Sequence, residues 1–269
     1  MKAWFFFGLS LLTVAGLFGM VSSAEAKMVT QAVEYEQGGV ALEGYLAYDD
    51  SFAGKRPGVL IFHQWMGLTD YEQGRARQLA ELGYVAFAAD IYGKGVRPAD
   101  NKAAGAEATK FRNDIPLMRA RARAGLEELR GLPQVDPARV AAIGYCFGGG
   151  VALELARSGA ELAGVVSFHG SLSTPHPEDA RNIRAKVLVL HGALDPAVPI
   201  PQVEALIKEL SAAQVEFQVV LYSGAVHAFT QLGAGNDPSK GAAYNAAADR
   251  RSWQAMRDFF NEIFGVEGR

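Results

Sequence analysis

GYCFGGG, residues 144–150, contains the only cysteine of this 269-residue chain. Glycines stand two positions before Cys146 and two, three and four positions after it. The apolar run RVAAIG (139–144) leads into this stretch, and the helix-forming segment VALELARSG (151–159) follows it. A G-x-C-x-G-G motif between a strand and a helix has the form of a nucleophile elbow in which sulfur replaces the usual serine oxygen. We therefore predict that Cys146 is a nucleophile on a sharp strand-to-helix turn.

The glycines around Cys146 have a steric explanation. A sharp turn forces the nucleophile into strained backbone angles, so the residues two positions to either side, Gly144 and Gly148, must lack a Cβ to avoid collision. The helix that begins near Phe147 points the positive end of its dipole at the sulfur, which lowers the thiol pKa and favours the thiolate. The same turn aims the backbone N–H of Phe147 at a developing oxyanion.

Short apolar runs and helical stretches alternate along the rest of the chain. Continuous apolar runs of this length are typical of strands buried on both faces of a parallel sheet. The helical stretches between them show one-sided apolar spacing, and several end at a glycine. The patterns predict strands at residues 58–62, 85–89, 139–144, 163–168, 186–192 and 217–222, and helices at 71–83, 115–131, 151–159, 200–214 and 244–264.

This alternation predicts an α/β fold. Strand, helix and strand in repetition give a doubly wound, mostly parallel sheet with helices on both faces. The segment 33–49 precedes the alternation and contains two strand-forming stretches joined by Gly38-Gly39, which predicts an N-terminal antiparallel hairpin. No interior linker or sequence repeat divides the chain, so residues 27–269 are expected to form one domain.

Reactive side chains occur where the predicted strands end, which is where functional groups collect in such sheets. HGALDPAVP (191–199) supplies Asp195 and SGAVHAFT (223–230) supplies His227. Their order after Cys146, nucleophile then acid then base, is that of hydrolases with this architecture. Taken singly, Asp195 is equally a turn residue, His227 a surface or core histidine, and Cys146 a small buried hydrophobe. Their coincidence in the required order favours a catalytic triad.

Four histidines near the predicted strand ends suggest a metal site as an alternative. They are His63, His169, His191 and His227. None shows the close spacing of a helical two-histidine motif, so a metal site is not the favoured interpretation. We expect no metal and no other cofactor. His191 is instead expected to order the loop that carries Asp195.

The single cysteine also allows a redox interpretation. An unpaired thiol in an oxidising compartment is a liability unless it is buried or retained for its chemistry. A redox-active or ligand-binding thiol on a hydrolase scaffold is therefore the alternative to a nucleophile, although the chain has no second cysteine. A third interpretation is a degenerate hydrolase fold that serves as a binding module, and the complete set Cys146, Asp195 and His227 argues against it.

Residues 1–26 have the pattern of a secretory signal peptide. Lys2 supplies a positive charge, residues 4–21 are almost wholly apolar, and AEA at 24–26 matches the small-x-small pattern of a cleavage site. An apolar run of this length could also remain as an uncleaved membrane anchor. The small residues within the run and the cleavage site favour cleavage after Ala26. We therefore predict an exported protein, periplasmic or secreted, without stable membrane insertion.

The charge pattern does not indicate a macromolecular partner. A formal net charge of −3 is close to neutrality and does not predict binding to nucleic acid or to an acidic membrane surface. The one basic run, formed by Arg119, Arg121 and Arg123, has a period of two that spreads its side chains around a helix, so a solvated face is expected. A small molecule is the expected partner, and the sequence does not define an oligomeric state.

Three motifs give the chain a resemblance to the dienelactone hydrolase family, within the α/β-hydrolase fold. They are G-Y-C-F-G-G at 144–149, H-G-A-L-D-P at 191–196 and G-A-V-H-A-F at 224–229. The likeness extends over essentially all the chain after the predicted signal peptide, including the hairpin. It implies the α/β-hydrolase fold and a Cys-Asp-His triad made of Cys146, Asp195 and His227.

The resemblance also implies roles for residues around the triad. It assigns a second oxyanion donor, the backbone N–H of Trp65 in HQWMG. The best-known members of the family have a glutamate at the position of Gln64, and they grip a substrate carboxylate with two arginines at the positions of Lys94 and Gln231. These three residues are expected to contact substrate. Tyr145 is expected to do so as one of several aromatic residues that predict a fairly apolar pocket.

The triad and the resemblance together predict a carboxylic ester hydrolase. His227, oriented by Asp195, is expected to draw the proton from Cys146, and the thiolate then attacks an ester or lactone carbonyl. An acyl-thioester forms, and water hydrolyses it. Because a thiolate leaves more readily than an alkoxide, activated esters, thioesters and strained lactones are expected to be better substrates than ordinary alkyl esters.

Overall fold

The computed structural model describes Met1, Trp4 and residues 27–265 of the chain. Apart from Met1 and Trp4, the predicted signal peptide lies outside the described residues. Within the part of the chain that is described, no helix is long and apolar enough to cross a membrane.

An antiparallel hairpin forms one end of the sheet. Strands β1 (Met28–Gln37) and β2 (Val40–Asp49) pair along their whole length. The turn between them consists of Gly38 and Gly39, whose φ angles are 60° and 77°. These are the left-handed angles that a two-residue hairpin turn needs, and glycine adopts them without steric cost. The predicted N-terminal hairpin is confirmed at the predicted turn.

Six further strands complete the sheet. They are β3 (Arg56–Phe62), β4 (Val85–Ala89), β5 (Val135–Tyr145), β6 (Gly164–Phe168), β7 (Lys186–Gly192) and β8 (Phe217–Tyr222). The spatial order is β1-β2-β4-β3-β5-β6-β7-β8. β2 pairs antiparallel with β4, and the later neighbours all pair parallel. The predicted doubly wound, mostly parallel sheet is confirmed.

Helices cover both faces of this sheet. The helices are α1 (Asp70–Glu81), α2 (Asn101–Asn113), α3 (Ile115–Gly131), α4 (Phe147–Arg157), α5 (Ile200–Ala212) and α6 (Ala246–Phe264). One apolar core lies between the sheet and α2 to α5 and includes Leu126 and Val151. The other lies between the sheet and the pair α1 and α6 and includes Leu79 and Phe260.

Helix α2 is absent from the sequence-based prediction. Asp100 caps it by accepting a hydrogen bond from the Ala103 N–H at 2.8 Å. Its buried stripe consists of Ala104, Ala108 and Phe111. Two of these three side chains are alanines, so the apolar periodicity is weak although the spacing is helical.

The prediction of a solvated arginine face on α3 holds for the exposed Arg123 but is wrong for Arg119 and Arg121. Arg121 is 5% exposed, and its guanidinium donates to the Gln37 carbonyl at 2.8 Å. Arg119 forms ion pairs with Glu154 and Asp179, each at 2.7 Å. Helix α3 packs between the hairpin and α4, so both of these arginines find partners on neighbouring elements.

The carboxyl ends of the central parallel strands meet at one edge of the sheet. Phe62 of β3 is aligned with Gly144 of β5, and Tyr145 is aligned with Phe168 of β6. The loops after these strands therefore start side by side, as they do in other open α/β sheets that bind ligands at this edge.

Candidate active site

Cys146 occupies the turn between β5 and α4. Its φ and ψ are 53° and −117°, outside the regions that residues with a side chain adopt without strain. Its N–H donates to the Phe168 carbonyl at 3.0 Å, and its own carbonyl accepts from the N–H groups of Gly149 and Ser171 at 3.1 and 3.2 Å. These backbone hydrogen bonds hold the strained conformation, and the predicted turn geometry is confirmed.

The glycines that flank Cys146 are required by backbone packing. A Cβ on Gly144 would lie 1.9 Å from the carbonyl oxygen of Gly148. A Cβ on Gly148 would lie 2.2 Å from the carbonyl oxygen of Phe62 and 2.6 Å from that of His63. The opposing atoms are all backbone atoms, so no side-chain movement relieves the contact. The steric explanation of the two glycines is confirmed.

Cys146, His227 and Asp195 form a hydrogen-bonded chain across three loops. The Nε2 of His227 lies 3.1 Å from the Sγ of Cys146, and its Nδ1 lies 2.8 Å from Oδ2 of Asp195. The other carboxylate oxygen of Asp195 accepts from the N–H groups of Ala197 and Val198 at 2.9 and 3.1 Å. The Asp195 side chain is fully buried, whereas the His227 side chain is 15% exposed. The imidazole therefore connects a buried carboxylate to a thiol at the surface of a cleft.

The thiol and the imidazole shift each other's pKa. Burial on its own raises the pKa of the Cys146 thiol, but the hydrogen bond and charge of His227, the Phe147 N–H and the Arg112 charge together bring that pKa below its ordinary value. Burial opposes the protonation of His227, yet its hydrogen bonds to Asp195 and Cys146 raise its pKa to about 10. Both shifts favour a thiolate beside an imidazolium.

His169 packs against the ring of His227. The two rings meet edge to face with centroids 5.3 Å apart, and the Nε2 of His169 lies 2.8 Å from the hydroxyl of Thr230. That hydroxyl also lies 2.6 Å from the hydroxyl of Tyr71. Burial, and then the charge of His227, lower the pKa of His169 well below its ordinary value, so its ring is neutral. The sequence does not reveal this contact because it depends on how two loops pack.

Backbone strain is concentrated at the same place. Within the described part of the chain, four residues other than glycine have positive φ, and three of them are Cys146, His169 and Ala228. Each lies in a loop at the carboxyl edge of the sheet. Such strain persists only where the surrounding structure fixes the conformation, and it is common at functional sites.

His63 fixes the loop after β3, which carries Gln64 and Trp65. Its Nε2 accepts from the Ile91 N–H at 3.1 Å, so its ring proton is on Nδ1, which donates to the Gln64 carbonyl at 2.6 Å. Burial lowers the pKa of His63 to about 4, so the ring stays neutral. His63 thus holds the loop beside Cys146 by hydrogen bonds at both nitrogens.

Glu72 is a second support of this loop that the sequence analysis missed. One of its oxygens accepts from the Gln64 N–H at 3.1 Å, and the other accepts from the N–H and the hydroxyl of Thr69 at 2.9 and 2.7 Å. Burial raises the pKa of Glu72. Thr69-x-x-Glu72 is a capping box at the start of α1, and this motif is visible in the sequence.

The remaining histidine at the sheet edge, His191, has the predicted structural contact. Its Nε2 donates to the Val198 carbonyl at 2.8 Å, which closes the loop that carries Asp195. Burial lowers the pKa of His191. Among residues 27–265, no group of three or more His, Cys, Asp or Glu side chains has an arrangement that could hold a metal ion.

A cleft of about 820 Å³ opens over Cys146. Trp65, Gln64 and Gln231 line it together with the thiol. The Nε2 of Gln231 donates to Oε1 of Gln64, so these two neutral side chains hold each other. The structure therefore brings Gln64 and Gln231, two of the four predicted substrate-contacting residues, to the cleft.

The charged side chains on the cleft wall, apart from the thiol and imidazole, are basic. Arg112 of α2 and Lys240 line the cleft, and no acidic side chain does so among the described residues. The Arg112 guanidinium lies 5.7 Å from the centre of the Phe147 ring. The sequence analysis did not single out Arg112 because helix α2 was not predicted.

The structure does not bring Lys94 and Tyr145, the other two predicted substrate-contacting residues, to the cleft. Lys94 does not line the cleft. Its ammonium group instead pairs with Glu34 and Glu43 of the hairpin, because the loop after β4 folds against that hairpin. Tyr145 is fully buried, and its ring stacks on that of Phe168 at 4.7 Å. It is the last residue of β5 and points into the core between the sheet and the pair α1 and α6.

The site consists of a strained thiol at a strand-to-helix turn and a histidine that reaches it from a later loop. This arrangement is that of the α/β-hydrolases, and the chain is an α/β-hydrolase. The model of the dienelactone hydrolase family matches residues 42–264. The chain belongs to this family and is a hydrolase.

Relatives of the chain come from several bacteria. One relative is a Yersinia pestis protein that has been provisionally named a carboxymethylenebutenolidase. It is 27% identical over 236 residues, which cover 83% of this chain and 85% of that protein. A second relative, protein usf from Aquifex pyrophilus, is 27% identical over 236 residues, 86% of this chain and 98% of its own length.

Solved structures share the fold at higher identity. The protein m3DLH is 42% identical with a TM-score of 0.85, and the match covers 88% of this chain and 98% of m3DLH. A dienelactone hydrolase-like promiscuous phosphotriesterase from metagenomic libraries is 40% identical with a TM-score of 0.83, again over 88% of this chain and 98% of the other.

Proposed function

We propose that the protein hydrolyses ester or lactone bonds with Cys146 as nucleophile, through an acyl-thioester intermediate. The observation that carries the proposal is the 3.1 Å contact between Sγ of Cys146 and Nε2 of His227, with Asp195 on the other imidazole nitrogen at 2.8 Å. Family membership supports hydrolysis, and the strained turn supports a nucleophile rather than a buried filler.

Acylation starts from the thiolate–imidazolium pair. The thiolate of Cys146 attacks the carbonyl carbon, a C–S bond forms, and the carbonyl oxygen becomes an oxyanion. The oxyanion then collapses, the bond to the leaving oxygen breaks, and that oxygen takes the Nε2 proton of His227. Asp195 keeps the imidazole in the orientation and protonation state that this transfer needs.

Deacylation restores the pair. The neutral imidazole of His227 takes a proton from water, and the resulting hydroxide attacks the thioester carbonyl. The C–S bond breaks, the carboxylic acid leaves, and Cys146 returns as a thiolate beside an imidazolium. The reaction consumes one water and needs no metal or redox partner.

Two backbone N–H groups are proposed as oxyanion donors. Phe147 is the first residue of α4, and its N–H already interacts with the sulfur. Trp65 lies in the loop that His63 and Glu72 hold through their bonds to Gln64. A rigid donor is effective because it does not reorganise during the reaction, and removing one such donor costs about 3–4 kcal/mol in other enzymes.

The cleft favours neutral or anionic substrates over cationic ones. Arg112 and Lys240 line it, and acidic side chains are absent from its wall within the described residues. Gln64 and Gln231 add amide donors and acceptors. We expect activated esters, thioesters and strained lactones to be turned over fastest, because the thiolate is a better leaving group than an ordinary alkoxide.

The first test of the proposal is Cys146→Ala assayed with a panel of aryl esters, thioesters and lactones. We expect the variant to lose at least about 10³-fold in kcat/KM, since the nucleophile is gone. Unchanged hydrolysis would overturn the proposal. Oxidation of Cys146 to a sulfenic acid without any hydrolysis would instead favour the redox alternative, and binding without turnover would favour the degenerate scaffold.

Phosphotriesters are a second candidate substrate class. The observation that favours them is the 40% identity to a protein described as a promiscuous phosphotriesterase, over 88% of this chain. A dialkyl aryl phosphate belongs in the same panel. Phosphotriester turnover that disappears in Cys146→Ala would support the same nucleophile for both substrate classes. If the wild-type protein releases no phenol from this compound, phosphotriesters are not substrates.

We also propose that the protein is exported after cleavage behind Ala26 and that residues 27–269 act as one domain. The support is the sequence pattern of residues 1–26 together with the single sheet that starts at Met28. N-terminal sequencing of the protein from a secreting host should give Lys27 as the first residue. An intact Met1 would contradict export by cleavage.

A further inference from the structure

A second cavity adjoins the active-site cleft. Its volume is about 250 Å³, and it shares Arg112, Ser171, Ala197 and Val198 with the wall of the larger cleft. We call it the side chamber. Ile115, Met118, Phe147 and Glu154 are among the other residues that line it.

The walls of the side chamber are largely apolar. Ile115 and Met118 of α3, Phe147 of α4 and Val198 of the loop after β7 are buried side chains that face it. Apolar groups that enter such a space leave water favourably, at about 0.8 kcal/mol for each methylene. The chamber therefore suits a hydrocarbon group better than a charged one.

The acidic residue in the chamber wall is already neutralised. One oxygen of Glu154 accepts from Arg157 at 2.9 Å, and the other accepts from Arg119 at 2.9 Å. Both carboxylate oxygens are thus occupied by guanidinium groups. Arg112 lies on the shared wall, above the Phe147 ring, and its own side chain is exposed.

The position of the chamber relative to His227 decides which part of a substrate it holds. The leaving group must lie next to the Nε2 of His227 to receive its proton. The cleft residues near that imidazole, Ala228, Gln231 and Lys240, do not line the side chamber. Phe147, by contrast, directly follows Cys146 and does line it. The group that stays bound to sulfur therefore lies on the chamber side.

We propose that the side chamber is an acyl-chain site, which makes the enzyme selective for esters of apolar straight-chain carboxylic acids. This inference rests on the proposed function, since the chain enters the chamber as part of the acyl group on Cys146. Ser171 and Met118 are its specificity-determining residues, one at the shared wall and one inside.

The test compares two series of esters on the purified protein. One series keeps a single phenolic leaving group and lengthens the acyl chain from acetyl to octanoyl. The other keeps the acetyl group and lengthens the alcohol. We expect kcat/KM to rise about fourfold for each added acyl methylene until the chamber is full, which is 0.8 kcal/mol expressed as a rate ratio. The alcohol series should show no comparable rise.

Two variants test the site itself. Ser171→Phe narrows the shared wall while keeping the backbone N–H that bonds to Cys146, and it should reduce the octanoyl-to-acetyl rate ratio at least tenfold. Met118→Ala enlarges the chamber and should shift the optimum to longer acyl chains. Met256→Ala, a fully buried methionine on α6 in the opposite core, is the matched control and should keep the wild-type ratios.

The possible outcomes distinguish a failure of the acyl-chain site from a failure of the proposed function. Hydrolysis that depends on Cys146 but shows the same chain-length profile in all four proteins would overturn the acyl-chain site and leave the proposed function standing. A rise in the alcohol series instead of the acyl series would also overturn it. Ester hydrolysis that survives in Cys146→Ala would overturn both.

Discussion

The Nε2 of His227 lies 3.1 Å from the Sγ of Cys146. We propose that this contact keeps the thiol reactive in a chain that has Gln64 at the position where the best-known members of the family have a glutamate. Gln64 cannot accept a proton, and its side chain is held by Gln231. The imidazole, the Phe147 N–H and the Arg112 charge lower the thiol pKa instead. The proposed thiolate is thus stabilised by its hydrogen bonds and by a nearby positive charge, whereas the neutral Gln64 side chain adds no charge.

We predict a broad, bell-shaped pH profile for kcat/KM. The lowered pKa of Cys146 means that the thiolate forms, and activity appears, below the pH at which an ordinary thiol ionises. Activity should fall on the alkaline side as His227, whose pKa is raised to about 10, loses the proton that the leaving group needs. The acid and alkaline limbs both report the titration of Cys146 and His227 as one coupled pair.

The ultraviolet absorbance of the thiolate provides an independent measurement, because the chain has a single cysteine. This absorbance should appear over the same pH range as the acid limb of the activity profile. In His227→Ala it should appear only at higher pH. A thiol that ionises at an unperturbed pKa in the wild-type protein would refute the ion pair.

Gly148→Ala should be severely destabilising. Its Cβ would lie 2.2 Å from the Phe62 carbonyl oxygen, and a backbone atom cannot move aside cheaply. We expect a loss of at least about 3 kcal/mol in the free energy of unfolding, measured by denaturant titration. Gly74→Ala in α1 is the control, since its Cβ would meet only the end of the Arg77 side chain at 3.8 Å. That change should stabilise the protein by about 0.5–1 kcal/mol, because alanine is the better helix former.

Buried His63 should make the protein sensitive to acid. Its pKa falls from its ordinary value of 6.5 to about 4 in the folded state, so between these values the unfolded chain binds a proton that the folded chain does not. Stability from this group is complete above about pH 6.5 and is lost as the pH falls toward 4, by about 3 kcal/mol in total.

The pH dependence of urea unfolding checks this prediction. His63→Gln should be less stable at neutral pH but lose less stability on acidification than the wild type. His176→Gln replaces an exposed histidine and should keep the wild-type slope. Equal slopes in all three proteins would show that His63 does not stay neutral.

Arg112→Gln should move the acid limb of the activity profile to higher pH. Its charge helps to lower the pKa of the Cys146 thiol, so its removal raises that pKa. Lys110→Gln on the same helix is the control, because the Lys110 ammonium pairs with Glu107 at 2.5 Å and does not line the cleft. If the acid limb lies at the same pH in Arg112→Gln and in the wild type, Arg112 does not lower the pKa of the Cys146 thiol.

Local sterics made part of the site predictable from the sequence. The Gly38-Gly39 turn and the glycines beside Cys146 follow from the backbone angles and close contacts that each position requires. The positions of Asp195 and His227 after predicted strands indicated that they would meet, because parallel strands bring their carboxyl ends to one edge.

Residues that depend on distant packing were not predictable in this way. Arg112 reaches the cleft because the end of α2 meets the Phe147 ring at the start of α4. The sequence did not predict α2 because its apolar pattern is weak. The resemblance identified Lys94 by its place in the sequence but could not predict where its side chain points. The carboxylates of Glu34 and Glu43 in the hairpin draw that side chain away from the cleft. Tyr145 directly precedes Cys146, yet its position on β5 turns its ring into the core.

The mass of the enzyme during turnover tests most directly whether Cys146 carries the acyl group. The protein is mixed rapidly with an activated aryl ester, quenched in acid, which preserves thioesters, and digested for peptide mapping. We predict one acyl group on the peptide that contains Cys146, present during turnover and absent after the substrate is exhausted. Turnover with no acyl group on Cys146 at any time, or with the acyl group on another residue, would contradict it.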